Sequence, residues 1–470
     1  MNQEQLQSAR HSAAHLLAAA VLDLWPGSHN AIGPSIDGGF YQDFDMGDVV
    51  ISEKDLSKIE KRMKRILSTW GPFETNEVSI KQAKKDFSHN PYKLELIGEF
   101  GKEGKTITEN NPGNFLDLCK GGHSEDPKTE LKHFKLLKVA GAYWRGDESR
   151  QMLTRIYGTV FSTAEELQEY LTMLEEAKKR DHRKLGQELD LFTFSELVGP
   201  GLPLWTPRGT LLRNLLDDYV WQLRKERGYD RVEIPHITKK DLYEKSGHWQ
   251  KFSDELFRIT TREGHEFAMK PMNCPHHTQI FARKQWSYRE RPQRYENTTT
   301  CYRDEQTGEL HGLSRVRSFT QDDAHVFARQ SQVKEEFLRI WDIVDIFYKA
   351  VGFGELSVRL SLHDPDNFDA YLGTPELWQH AESSIRELAE ERGVPFIEQI
   401  GEAAFYGPKV DFVTKDSIGR EWQVATIQLD INLPERFDLS CIDESGAPER
   451  IVMIHAAIMG SIERFLSIFI

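Results

Sequence analysis

Apolar residues dominate positions 8–22, where Ala and Leu fill the interior of a predicted helix and Ser8 is the expected N-cap. The turn-rich stretch from Ile32 to Phe44 (Ile-Gly-Pro-Ser-Ile-Asp-Gly-Gly-Phe-Tyr-Gln-Asp-Phe) predicts a hairpin. Residues 52–69 form a second, charged amphipathic pattern. Short apolar runs alternate with Gly and Asn over 104–160 and predict strands. Residues 163–185 hold Glu, Lys and Leu without Gly or Pro, behind the capping signal Ser162-Thr163-Ala164-Glu165-Glu166. They predict one long helix, the natural bridge (163–186) between an N-terminal domain (1–162) and a second domain (187–470). In the second half, 208–227, 332–351 and 376–392 read as helices. Residues 230–235, 404–414, 420–431 and 450–454 read as extended, and 455–470 as helix again. Strands and helices do not alternate regularly, so the expected class is α+β, an antiparallel sheet flanked by helices. The chain shows no internal repeat.

Composition narrows the function classes. A chain of 470 residues with 39% hydrophobic and 29% charged residues is expected to be globular, with two or three domains and large cores. No apolar run approaches the ~20 residues of a spanning helix, and the N-terminus lacks a signal-peptide layout. The closing Phe465–Ile470 run is too short to span and reads as a buried helix. The four cysteines show no Cys-x-x-Cys spacing, which argues for a reducing compartment and a cytoplasmic location. A net charge of −14 weighs against nonspecific nucleic-acid binding. The cationic run Lys178–Lys184 reads as a solvated helix face.

Candidate chemistry comes from Cys274, His325 and His455. One thiolate and two imidazoles can close three corners of a zinc tetrahedron and leave the fourth open for substrate. Taken bare, such residues near apolar runs are usually core; their neighbours point elsewhere. Cys301-Tyr302-Arg303-Asp304-Glu305, a polar loop, and Arg315-Val316-Arg317-Ser318-Phe319 resemble motif 2 of the class II aminoacyl-tRNA synthetases. Gly460-Ser461-Ile462-Glu463-Arg464 resembles motif 3, and Gly228 to Pro235 resembles motif 1, a dimer-forming segment. Arg-x-Glu alone arises by chance, but three motifs in order are specific.

Within class II the resemblance is to the threonyl-tRNA synthetases, and it covers nearly the whole chain. It rests on Ser246-Gly247-His248-Trp249, Lys270 to Pro275, Phe319 to His325, Ala404 to Lys409, and Trp422-Gln423 through Asp430. It implies activation of L-threonine with ATP and transfer to tRNA(Thr) by a homodimer. It also implies one Zn²⁺ per subunit on Cys274, His325 and His455, which ligates the amino acid rather than activating water, and Mg²⁺ with the ATP. An apolar pocket separates threonine from isosteric valine poorly; a metal that must be ligated by the hydroxyl does not. By the same resemblance Asp323 accepts the hydroxyl proton, and Gln321, Tyr406, Met272 and Gln428 line the threonine pocket. Arg303, Glu305, Arg315, Phe319, Gln423 and Arg464 bind ATP. Arg303 and Arg464 act on the phosphates, and His248 meets the adenosine end of tRNA.

His11 and His15 share a helix face, and Cys119-Lys120-Gly121-Gly122-His123 adds a thiol and an imidazole on a Gly-rich turn. From the residues alone this is a metal site or a packed helix with polar edges. The resemblance is to the editing domain of the threonyl-tRNA synthetases, with His11, His15, Cys119, His123, Lys93 and Asp117 in its pocket. There an ordered water, not a metal, is implied to hydrolyse Ser-tRNA. Serine also carries an amino group and a hydroxyl, so the zinc cannot exclude it and a second site must.

The chain departs from the family at Ala456 (usually Arg), Ala425 (usually Gly) and His276 (usually Gly). It starts at the editing domain and stops after motif 3, where the family carries an anticodon-binding domain of about 100 residues. Two other readings stay open: a paralogue that activates an amino acid for a non-tRNA acceptor, and a non-catalytic regulatory protein on a synthetase scaffold.

Overall fold

The computed structural model describes residues 1–147, 149–416 and 419–470, which divide into two compact units, 1–175 and 176–470. In the first unit, helix Gln3–Leu24 is buried on all sides over Ser12–Val21. Its small side chains let it lie close against an antiparallel sheet and against helix Leu56–Leu67. The sheet runs His29–Asn30, Gly39–Asp45, Met152–Phe161, His133–Tyr143, with Ser35–Ile36 folded onto Gly39–Asp45 as the predicted hairpin. A smaller sheet of Glu74–Val78, Ile107–Asn111 and Asp117–Leu118 packs with helices Ile80–Asp86 and Pro91–Lys102.

Two sequence expectations change here. The first helix begins at Gln3, not Ser8, because Asn2 and Gln5 form a reciprocal capping box. The long helix expected over 163–185 is two helices, Ala164–Lys179 and His182–Glu188. Asp181 separates them: its carboxylate accepts the Arg183 amide at 2.8 Å and caps the second. Of the cationic run there, Arg183 pairs with Asp181 and Lys184 with Glu188.

The second unit is built on an eight-stranded sheet. Its order is Asp230–Arg231, Gln293–Tyr302, Ser318–Ala328, Val452–Ser461, Glu421–Asp430, Lys409–Lys415, Ser357–Leu362, Phe396–Ile400. All pairings are antiparallel except the outermost one at each edge. Helices Pro207–Lys225, Val333–Ala350, Pro375–Arg392 and Ile462–Phe469 cover one face, where Ala324, Val326, Ile454, Ala456, Ile458, Ile427 and Leu429 pack. The α+β class and the antiparallel sheet flanked by helices are as expected.

Residues 455–461 are strand, not helix: the element is Val452–Ser461, and the helix starts only at Ile462. Both faces of this central strand are covered, so its sequence is a continuous apolar run rather than an alternating one. Gly460, at φ +68°, turns the chain, and the Ser461 hydroxyl accepts the Arg464 amide to start the helix. Residues 404–408 are likewise a turn rather than strand, with Gly407 against Leu429: a Cβ there would lie 1.9 Å from the Leu429 carbonyl oxygen. Only Asp230–Arg231 of the extended 230–235 segment forms a strand.

Two candidate clusters, one in each unit

In the second unit the sheet register assembles the site. His325 and His455 are direct cross-strand partners, and Gln428 is the next partner along the same row. Gln321, Asp323 and His325 alternate onto the face opposite the helices. Asp322 points the other way. Its carboxylate pairs with buried Arg224 at 3.4 Å and accepts the amides of Ile458 and Met459 at 2.9 and 3.1 Å. These bonds sit at a register irregularity between Gln321 and Asp323, where the two strands slip past each other.

Cys274 enters from the N-terminus of helix Cys274–Phe281, and its sulfur and one nitrogen from each of His325 and His455 lie within 4.8 Å of one another. His325 Nε2 and His455 Nδ1 are 3.0 Å apart, near the ~3.3 Å edge that Zn–N bonds of ~2.05 Å at tetrahedral angles require. Each ring is held from behind: His325 Nδ1 meets His277 Nδ1 at 2.7 Å, and His455 Nε2 meets Asp430 Oδ2 at 2.9 Å. Such outer partners fix the tautomer and aim the other nitrogen at a metal. All three residues are buried. Burial pushes the Cys274 thiol well up and the His325 imidazole well down. A soft/borderline donor set, oriented from outside and short of positive charge, fits Zn²⁺.

Two of the three, Cys274 and His455, open on a cavity of about 270 Å³, where they meet Arg303, Gln321, Asp323, Tyr406, Gln428 and Met272. Burial raises Asp323 to about 6. Its Oδ2 accepts from Asn273 at 3.1 Å, and its Oδ1 lies 3.7 Å from His325 Nε2. The other expected residues lie off this cavity's wall. Phe319 places its ring 5.2 Å from the Arg303 guanidinium. Glu305 is clamped by Arg315, which also holds Glu309 at 3.0 Å. Arg464 lies over Trp422 at 5.7 Å, and Gln423 donates to Asp411 at 2.6 Å. His248 is fully buried beside Phe405, with Nδ1 on Ser246 Oγ at 2.8 Å and Nε2 unpartnered.

Of the departures, Ala456 packs its side chain in the helix-side core and only edges the cavity, between His455 and Ala457. Ala425 packs in the helix-side core, and His276 bonds Thr238. Sequence reasoning missed His277, Asp430, Asn273 and Arg224. Only His277 offered a signal, as an imidazole three residues past a candidate ligand on one helix.

The first unit gathers a second cluster. His11, His15, Cys119 and His123 offer ligand-type atoms within 4.8 Å. Gly121 and Gly122, at φ +98° and +81°, reverse the chain so that His123 returns over the helix, stacked on Phe73 at 4.1 Å. His11 Nε2 meets the Cys119 sulfur at 2.9 Å. His15 Nδ1 and Lys93 Nζ both grip Asp117, at 2.9 and 2.6 Å. A cavity of about 460 Å³ is lined by His11, His15, Lys93, Asp117 and Cys119 among others. Burial opposes charge at Cys119, yet hydrogen bonds from His11, His123 and His15 outweigh it and hold the thiol at about 3. Burial is also outweighed at His15, which Asp117 and Cys119 raise to about 9. This pocket is an internally balanced set of charges, capable of orienting and polarising a water.

The class II core domain of tRNA synthetases (the G, H, P, S and T group) matches residues 257–470. A threonine–tRNA ligase of Porphyromonas gingivalis is 51% identical over 466 residues, which covers 98% of this chain and 71% of that protein. One of Cytophaga hutchinsonii is 49% identical over 464 residues, covering 98% and 72%. The RNA-binding domain of threonyl-tRNA synthetase from Cryptosporidium parvum Iowa II is 37% identical, with a TM-score of 0.59 over 62% of this chain and 71% of that one. No helix among the described residues is long and apolar enough to cross a membrane.

Proposed function

The chain belongs to the threonine–tRNA ligase family of class II synthetases, and from that premise we propose that it activates L-threonine with ATP and ligates it to tRNA(Thr). The observation that carries the reading is the cavity where Cys274 and His455, with His325 behind, face Asp323, Gln321, Tyr406 and Gln428 within reach of Arg303. Cys274, His325 and His455 would hold Zn²⁺, which when bound supplies a Lewis acid that ligates the amino group and hydroxyl of threonine. Asp323 accepts the hydroxyl proton. Gln321, Tyr406, Met272 and Gln428 fix the rest of the amino acid.

A threonine carboxylate oxygen then attacks the α-phosphorus, and the bond to pyrophosphate breaks. Arg303, backed by Phe319, neutralises charge at the α-phosphate and carboxylate; Arg464 does so at the γ-phosphate, with Mg²⁺ accompanying the ATP. Glu305, steadied by Arg315, accepts from the adenine amino group, and Gln423 borders the nucleotide. The terminal ribose hydroxyl of tRNA next attacks the carbonyl and AMP leaves, with His248 near that end. Catalysis is mainly positioning and charge stabilisation.

Residues 187–470 form the catalytic domain in this reading, 163–186 the connector, and 1–162 the editing domain. In that first domain His11, His15, Cys119, His123, Lys93 and Asp117 orient a water on Ser-tRNA(Thr). Leu211 and Leu215, one turn apart on helix Pro207–Lys225 and 60% and 59% exposed, support a homodimer with that helix at the interface. A cytoplasmic location goes with the reading.

The test is amino-acid-dependent ATP–pyrophosphate exchange. Threonine and serine are expected to support it and valine not; equal activity with valine sinks the metal-based discrimination. Aminoacylation of tRNA(Thr) separates this reading from activation for another acceptor.

A further inference from the structure

Lys270 is fully buried, and none of the described carboxylates lies within ion-pair distance of it. Its backbone is pinned on both sides, by Lys270 N–H to the His236 carbonyl and Tyr302 N–H to the Lys270 carbonyl, each at 2.9 Å. The ammonium therefore has a fixed place. It donates to Asn273 Oδ1 at 2.9 Å and to Thr299 Oγ1 at 3.0 Å. A buried cation satisfied by neutral oxygens is costly to keep, which points to a role beyond packing.

That role follows from the donor chemistry. An ammonium only donates, and an amide has one accepting end and one donating end. Lys270 therefore forces Asn273 to turn its oxygen toward the lysine and its NH₂ toward Asp323. The NH₂ donates to Asp323 Oδ2 at 3.1 Å. Oδ2 is thereby occupied, while Oδ1 is left on the His325 side of the site. Asn273 is fully buried, so no water competes for either end of the amide.

We propose that Lys270 and Asn273 are positioning residues that set threonine specificity: the lysine fixes the direction of the Asn273 amide, and the amide holds Asp323 with one oxygen presented to the substrate hydroxyl. The inference rests on the threonine-activation reading above and names two residues that act through Asp323 without touching substrate. With the amide free to turn, its oxygen faces the carboxylate and pushes it from the hydroxyl. A substrate without a hydroxyl loses nothing by this.

Asn273→Asp gives the sharper test. It keeps an oxygen for Lys270 and adds a compensating charge, but offers Asp323 no N–H. Lys270→Met is its companion. Kcat/KM for threonine and for valine, KM for ATP, and zinc per chain are measured in ATP–pyrophosphate exchange. Both variants are expected to lower the threonine-over-valine ratio about tenfold, one oriented hydrogen bond's worth, through KM for threonine. KM for ATP is expected within about twofold of the parent, with zinc still near one per chain. An unchanged ratio in Asn273→Asp overturns the proposal. So does a ratio that falls only together with the zinc, because the pair would then be holding the Cys274 loop. A parent enzyme that uses valine as well as threonine overturns the activation reading instead.

Discussion

The two clusters use nearly the same side chains, yet a cysteine and a histidine in each are shifted in opposite directions. In the first unit Cys119 is held at about 3 and His15 at about 9. In the second, Cys274 is pushed well up and His325 well down, both by burial. The difference lies in what surrounds them. Asp117 and Lys93 stand within 2.6 Å of each other beside His15, so thiolate and imidazolium each find a counter-charge. Around Cys274, beyond burial, the carboxylates Asp323 and Asp430 oppose a thiolate. One pocket holds its own counter-charges, and beside the other's thiol stand carboxylates. Composition alone does not separate the two Cys/His sets; the charged groups around them do.

Breaking the metal side should have the largest effect. Cys274→Ser is expected to lower threonine-dependent exchange by on the order of 10³ and to remove zinc, while hydrolysis of Ser-tRNA(Thr) continues. If both activities vanish together, the clusters do not act separately. Arg303→Ala is expected to cost about 10²–10³ in kcat for exchange with zinc retained. Arg224→Met leaves Asp322 buried without its partner and should cost the second unit about 3–5 kcal/mol in urea unfolding; an unchanged midpoint would mean the Ile458 and Met459 amides suffice alone.

The charged side gives smaller, sharper readouts. Iodoacetamide should modify Cys119 at a rate nearly independent of pH from 8 down to 5, because the thiolate persists to about 3. Asp117→Asn should slow that reaction roughly tenfold at pH 6 and leave exchange untouched. His15 is raised from 6.5 to about 9, so its contribution is full below 6.5 and lost as pH rises through 9. Cys119 is lowered from 9.0 to about 3, so its contribution is full above 9.0 and lost as pH falls toward 3. Between 6.5 and 9 the two oppose, and the first unit's stability should be flat. Below 6.5 only the Cys119 loss remains, and stability should fall with pH. A steady slope across 6.5–9 would show that the pair is not coupled as drawn.

Much of this was legible in the residues. The ligand triad, Asp323 and the His-x-x-x-His and Cys-x-x-x-His elements stand in recognisable settings, and the structure brings each set together. The misread elements have physical causes. Ile454 to Met459 has Ala and Met at helix-friendly spacing, yet lies mid-sheet because both its faces are covered. The break at Asp181 was hidden by strong helix formers on either side, though an aspartate can cap as well as continue. Ala425 could not be placed on a face without knowing the slip between Phe412 and Val413 in the pairing with its neighbour strand. Asp430, Arg224 and Asn273 gave no signal, because each acts through a contact across 25 residues or more.

The face-to-face pairing of His325 with His455 has a consequence for folding. A shift of a single position between those two strands swings Ile454 or Ala456 into the cavity and His455 into the hydrocarbon layer behind it. Capture of an ion by this trio, as proposed, would certify that the sheet's middle has zipped correctly. A misaligned chain would have no such grip, and the ion's binding free energy would widen the gap between the native alignment and its nearest impostors.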